Sequence, residues 1–68
     1  MSARICVNGR DEPFTAATVA ELLKARGIDD RRGVAVAVNG VVVPARSWRA
    51  QSLAAGDQVE IVRPFGGG

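Results

Sequence analysis

The group in this chain best suited to covalent chemistry is a carboxylate at the end of a glycine run. The last residues read GDQVEIVRPFGGG over Gly56–Gly68: an alternating apolar stretch, Pro64-Phe65, then Gly66-Gly67-Gly68. A carboxylate is a poor acyl electrophile until it is activated, and only then becomes an acyl donor. Its arm suits that use. Glycine has no Cβ, so its backbone passes a constriction that any other residue would block. Residues 64–68 reach roughly 17 Å at full extension, and Pro64, lacking an N–H, helps release the chain from a sheet. On the tail alone a frayed terminus, which many domains have, is the readier reading. The other is a working end, with Gly68 as the reacting residue and Gly66 and Gly67 threading a partner's active site.

Other chemistries are poorly supplied. The chain has no His, so neither a Ser-His-Asp nor a Cys-His arrangement can be built within it. One Cys without His makes no Cys/His zinc site, so no metal is expected. A lone Cys forms no internal disulfide, which suits a reducing cytosol, and a cytoplasmic location is expected. Cys6 itself reads as an inert small hydrophobe on a strand, opposite Ile5 and Val7. The start, MSARICVNG, lacks a long apolar region, and no stretch approaches membrane-spanning length. The net charge of +2 is interspersed, and the basic doublet Arg31-Arg32 follows Asp29-Asp30. With two Phe, one Trp and no Tyr there is little surface for stacking bases, so no nucleic-acid partner is expected.

The apolar share of 47% is that of a globular domain. A chain of 68 residues buries only about 60% of the surface its unfolded form exposes. A cofactor pocket would consume most of so thin a core, so no cofactor bound by this chain is expected.

The elements that position the tail follow from alternation and turn chemistry. Arg4–Asn8 alternates, with Ile5 and Val7 on one face, and Asn8-Gly9 then signals a hairpin. The return strand runs about Arg10 to Phe14, with Phe14 turned into the core and Pro13 marking an edge. Thr18-Val19-Ala20-Glu21 is a capping box, Thr18 covering a free N–H and Glu21 reaching back. The helix spans about Val19–Arg26 with Val19, Leu22 and Leu23 on one face; Gly27 stops it and Ile28 folds back onto Leu23. A second hairpin follows over Gly33–Pro44, turning at Asn39-Gly40. Both Asn-Gly pairs read as turn chemistry and nothing more. Ala45–Ala55 is a connection with one short helical turn, in which Trp48 closes one end of the core. Gly56-Asp57 leads into a last strand, Gln58–Arg63. Glu21 and Asp57 serve as cap and turn. The expected class is α+β, a mixed sheet of about five strands packed on one helix.

These residues resemble the ubiquitin-like β-grasp sulfur carriers, and within them the ThiS family of thiamine biosynthesis. The resemblance spans essentially the whole chain. It rests on AVAVNGVVVP at Ala35–Pro44 with Trp48 soon after, on LAAGDQVEIVRPF at Leu53–Phe65, and on the terminal Gly67-Gly68. Pro64-Phe65 departs from the small apolar pair expected before the glycines. The resemblance implies a β-grasp domain over residues 1–63 and a flexible tail over residues 64–68. It implies a protein-borne carrier, not an enzyme. An ATP-using, ThiF-like adenylating enzyme would form an acyl-adenylate on Gly68. Sulfur from a cysteine desulfurase or another persulfide donor would displace AMP, leaving a C-terminal thiocarboxylate. Thiazole synthase (ThiG-like) would receive the sulfur. The partners would supply the base, metal and nucleotide sites that the chain lacks.

Docking needs a face. With Val34, Val36, Val38, Val59 and Ile61 turned inward beneath the helix, Ala35, Ala37 and Val62 fall on the opposite side of the sheet. They form a modest apolar patch near the tail, and Phe65 and Arg63 are further partner-binding candidates. The same features fit the small subunit of molybdopterin synthase, or a carrier for cysteine or tRNA thiolation. A reading of a different class is a β-grasp interaction module whose glycines are never modified.

Overall fold

A computed structural model of the chain describes residues 3–28 and 33–63. Its elements run β1 (Arg4–Val7), β2 (Arg10–Pro13), α1 (Val19–Ala25), β3 (Ala35–Val38), β4 (Val41–Val43), a 3-10 turn (Ala45–Ser47) and β5 (Gln58–Val62). The strands form one sheet in the order β2-β1-β5-β3-β4. β5 therefore inserts between the two hairpins, parallel to β1 and antiparallel to β3. Alternation puts Ile5, Val7, Val36, Val38, Val43, Val59 and Ile61 on the helix side, where they bury against Val19, Leu22 and Leu23. Trp48 and Leu53 complete that core.

Both hairpins turn on Asn-Gly, and all four turn residues have positive φ, the geometry that fits the twist of paired strands. β1 and β2 are each one residue shorter than expected. Phe14 lies just past β2, half-buried and packed against the core, while its N–H still donates to Ala3 O at 3.0 Å. Val34 likewise packs half-buried just before β3.

The helix is short, and its free ends are closed by specific partners. Thr18 Oγ1 accepts from Glu21 N at 3.2 Å, as the capping box predicts. The Glu21 carboxylate, however, accepts from the N–H of Ala17, not from that of Thr18. The N–H groups of Val19 and Ala20 donate to Gln51 O and Trp48 O, and that of Leu22 to Thr18 O. The N–H groups of Val19, Ala20 and Glu21, which have no intrahelical acceptors, are thus all satisfied, two of them by the 48–51 loop, and Leu22 N to Thr18 O is the first bond of the helix itself. At the other end Arg26 is the cap and not the last helical residue. Gly27 N donates to Lys24 O and Ile28 N to Leu23 O, the double bond pattern of a glycine-terminated helix. Gly27 has φ +71, where a side chain would be strained.

Candidate docking face and tail exit

Of the expected site residues, Ala35, Ala37, Val62 and Arg63 can be placed, and they lie on or beside β5. Along this strand Val59 and Ile61 are buried, while Gln58, Glu60 and Val62 are exposed. Its neighbour β3 places Ala35 opposite Val62 and Ala37 opposite Glu60. Ala35, Ala37 and Val62 therefore lie together on the outer face, away from the helix, as the alternation predicts. Val62 keeps 62% of its surface exposed, a large apolar side chain left uncovered beside the point where the chain leaves the sheet. Arg63 follows it, also exposed. Phe65, Gly66, Gly67 and Gly68 lie outside the described residues, as do Asp29-Asp30 and Arg31-Arg32.

Sequence reasoning missed Val42. It pairs with Ala37 across the second hairpin and is 70% exposed, so it extends the apolar patch toward the sheet edge. The signal was present: a two-residue Asn39-Gly40 turn sets Val38 against Val41 and hence Ala37 against Val42. Cys6, half-buried, sits on the same outer face on β1, the strand next to β5, opposite Gln58 and Asp11. Arg4 and Asp11 form an ion pair at 2.9 Å on that side.

The two turn asparagines do more than turn the chain. Beyond Val7, β1 has ended, and the next partner for β5 is the side chain of Asn8. Its Oδ1 accepts from Ile61 N at 2.7 Å and its Nδ2 donates to Ile61 O at 3.3 Å, while its own N–H donates to Val59 O at 2.8 Å. The amide side chain thus stands in for one more peptide unit of β1. Asn39 acts at the opposite end. Its Oδ1 accepts from Gln58 N at 2.9 Å, and its Nδ2 donates to Asp57 Oδ1 at 3.0 Å. Asp57 Oδ2 in turn accepts from Ala54 N at 2.8 Å, closing the turn into β5. β5 is pinned at entry by Asn39 and near its exit by Asn8. Expecting only turn chemistry from these residues understated them, because their partners lie 19 and 53 residues away in sequence.

Trp48 takes the structural role expected of it. It is 3% exposed, and its indole N–H donates to Val43 O at 2.9 Å. Among the described residues no group of three or more His, Cys, Asp or Glu could hold a metal ion. No helix among them is long and apolar enough to cross a membrane.

A mixed five-stranded sheet folded over one helix, with the last strand at its centre, defines a β-grasp domain of the ubiquitin-like kind. The chain belongs to the ThiS family, whose match covers residues 4–68. It is similar to the crystal structure of the thiamine biosynthesis protein ThiS from Geobacter metallireducens, with a TM-score of 0.76 and 32% identity over 96% of this chain and 99% of that one. The solution structure of a thiamine biosynthesis protein from the same organism aligns with the same TM-score and identity, over 87% of its length. The chain is also 39% identical over 66 residues to a thiazole synthase of Paramagnetospirillum magneticum, a match covering 96% of this chain and 20% of that protein. It therefore spans about one fifth of the length of that curated relative.

Proposed function

We propose that this protein carries sulfur for thiazole formation in thiamine biosynthesis, as a thiocarboxylate on Gly68. One observation carries this reading: the family match runs through residue 68 and so includes Gly66-Gly67-Gly68, which in sequence come three residues beyond the central strand, after Arg63-Pro64-Phe65. The carboxylate of Gly68 attacks the α-phosphorus of ATP on a ThiF-like adenylating enzyme, releasing pyrophosphate and forming an acyl-adenylate. The terminal sulfur of a persulfide, from a cysteine desulfurase or another donor, then attacks the acyl carbon and expels AMP. That leaves an acyl disulfide, whose S–S bond a thiol reduces to free the thiocarboxylate.

Thiazole synthase is the proposed acceptor. In its support, a segment similar to this chain occurs inside a polypeptide named thiazole synthase, so carrier and acceptor are compatible within one molecule. In this scheme the chain is a cosubstrate in the cytoplasm. It contributes an acyl end and a docking surface made of Ala35, Ala37, Val42 and Val62 with Arg63, Phe65 being a further candidate from sequence, and the partners contribute the catalytic groups and the ATP site. The two glycines before Gly68 present no side chain to a tunnel wall.

Intact-protein mass spectrometry tests this directly. Protein purified from its own cells fixes the mature end, and incubation with ATP, the adenylating enzyme and a persulfide donor follows. The expected result is a mass gain equal to replacing one oxygen by sulfur, located at Gly68 and lost on addition of thiazole synthase with its substrates. Deleting Gly67-Gly68 should abolish the gain. A mature end that is not Gly68, or an unchanged mass with a competent enzyme, would sink the proposal in favour of an unmodified interaction module.

A further inference from the structure

On the helix side of the molecule, α1 and the segment after β4 enclose a groove of about 590 Å³. Its floor is apolar: Leu23 and Trp48 are buried, and Ala20 and Ile28 are half-buried. Its rim carries Lys24, Arg46 and Arg49, all exposed, and none of the described residues lining it is acidic. Among the described residues, the cations that form ion pairs are Arg4 and Arg26; the three around the groove form none. Three cations drawn from two separate segments converge on one concavity of a chain whose net charge is only +2.

We infer that this groove docks an acidic peptide segment of a partner protein, anchored by an aliphatic side chain. The floor asks for an aliphatic group. The Trp48 N–H is already used on Val43 O, and Leu23 O already accepts from Arg26 and Ile28, so no polar atom named there lacks a partner. A nucleotide fits less well, because Trp48, at 3% exposed, offers no open ring face for stacking. The volume lies within the range of small binding clefts, about 300–1,000 Å³, enough for one or two side chains between the flanking cations. Opposite charge across the rim gives selectivity and speeds encounter more than it adds affinity. The groove lies on the helix side and the patch containing Val62 on the other side of the sheet. A partner held here leaves that patch free, so two proteins can be held at once. This inference needs no sulfur chemistry and stands or falls separately from the proposed function.

The test uses the whole chain and a fluorescein-labelled amphipathic peptide of glutamate and leucine. Its controls are a glutamine-for-glutamate counterpart and a single-stranded oligonucleotide, with binding followed by anisotropy at low and moderate salt. Each exposed ion pair lost should weaken binding about two- to fivefold. Arg46→Glu/Arg49→Glu should therefore weaken it about tenfold or more, and Lys24→Gln by the smaller factor. Binding should fall as salt rises. Amide shifts of the isotope-labelled protein should cluster at Ala20, Lys24, Gly27, Ile28 and Arg49, with the unperturbed strands certifying that both variants fold. The inference is overturned if the acidic peptide does not bind, if its shifts map to the outer sheet face, if the glutamine peptide binds equally well, or if the oligonucleotide outcompetes it.

Discussion

The Asn8 clamp predicts an ordered series of substitutions. Asn8 has φ 52, a conformation that costs most residues about 1–2 kcal/mol and asparagine less. Its side chain also makes two hydrogen bonds to Ile61, each contributing about 0.5–1.5 kcal/mol, with the 3.3 Å one at the weaker end. Asn8→Asp keeps the backbone preference and the acceptor at 2.7 Å and loses only the donor, for about 0.5 kcal/mol. Asn8→Gly keeps the positive φ and loses both bonds, for about 2 kcal/mol once the added freedom of the unfolded chain is included. Asn8→Ala loses both bonds and takes the backbone strain as well, for about 3 kcal/mol. A chain of this length has a total stability of only about 3–10 kcal/mol, so the alanine variant approaches unfolding. At about 4–8 °C per kcal/mol, the glycine variant should melt roughly 10 °C below wild type by circular dichroism, with faster amide exchange at Ile61. An aspartate variant as damaged as the alanine one would refute the reasoning. So would three variants all within about 0.5 kcal/mol of wild type.

Other outcomes follow from neighbouring features. Val62→Asp adds a charge to an exposed outer-face position. It should leave stability within about 0.5 kcal/mol while lowering kcat/KM for adenylation at least tenfold, and unchanged kinetics would remove the outer face from the docking scheme. Trp48→Phe removes the donor to Val43 O and should cost about 1–2 kcal/mol. Trp48→Ala should cost about 3–5 kcal/mol, and urea titration separates the two. Gly27→Ala meets nothing within 4 Å, so its penalty should be conformational alone, about 1 kcal/mol. A much larger melting shift would mean that the cap also depends on close packing.

Much of this architecture is legible in the residues because strands alternate and two-residue turns fix register. The inward set Val36, Val38, Val59 and Ile61 follows from period two, and so does the outward set Ala35, Ala37 and Val62. The helix stop at Gly27-Ile28 is equally local. What escapes the sequence is non-local. Nothing in Gln58–Val62 says that it enters between β1 and β3, because pairing partners far apart in the chain leave no periodic trace. The clamp by Asn8 escapes for the same reason: an Asn-Gly pair is already accounted for as a turn, and its second use appears only when Ile61 arrives. Glu21 bonding Ala17 in place of Thr18 depends on the entry angle of the preceding loop. The basic groove joins Lys24 to Arg46 and Arg49 across two segments that share no motif. Val41 falls on the core side with Val38 and Val43, yet it is 66% exposed, at the end of β4 that meets the Asn39-Gly40 turn.

The place of β5 in the sheet order β2-β1-β5-β3-β4 has a mechanical consequence. A pull on the chain beyond Val62 acts along the axis of the central strand, against a parallel ladder on one side and an antiparallel ladder on the other. Ladder bonds lie across such a pull, so they are loaded together, in shear. The two asparagine side chains add crosspieces near either end of the strand. Had the same segment followed β2 or β4, the pull would be borne by a single ladder. In the proposed scheme, traction applied by a partner beyond Val62 is spread over the middle of the sheet while the body of the domain keeps its shape.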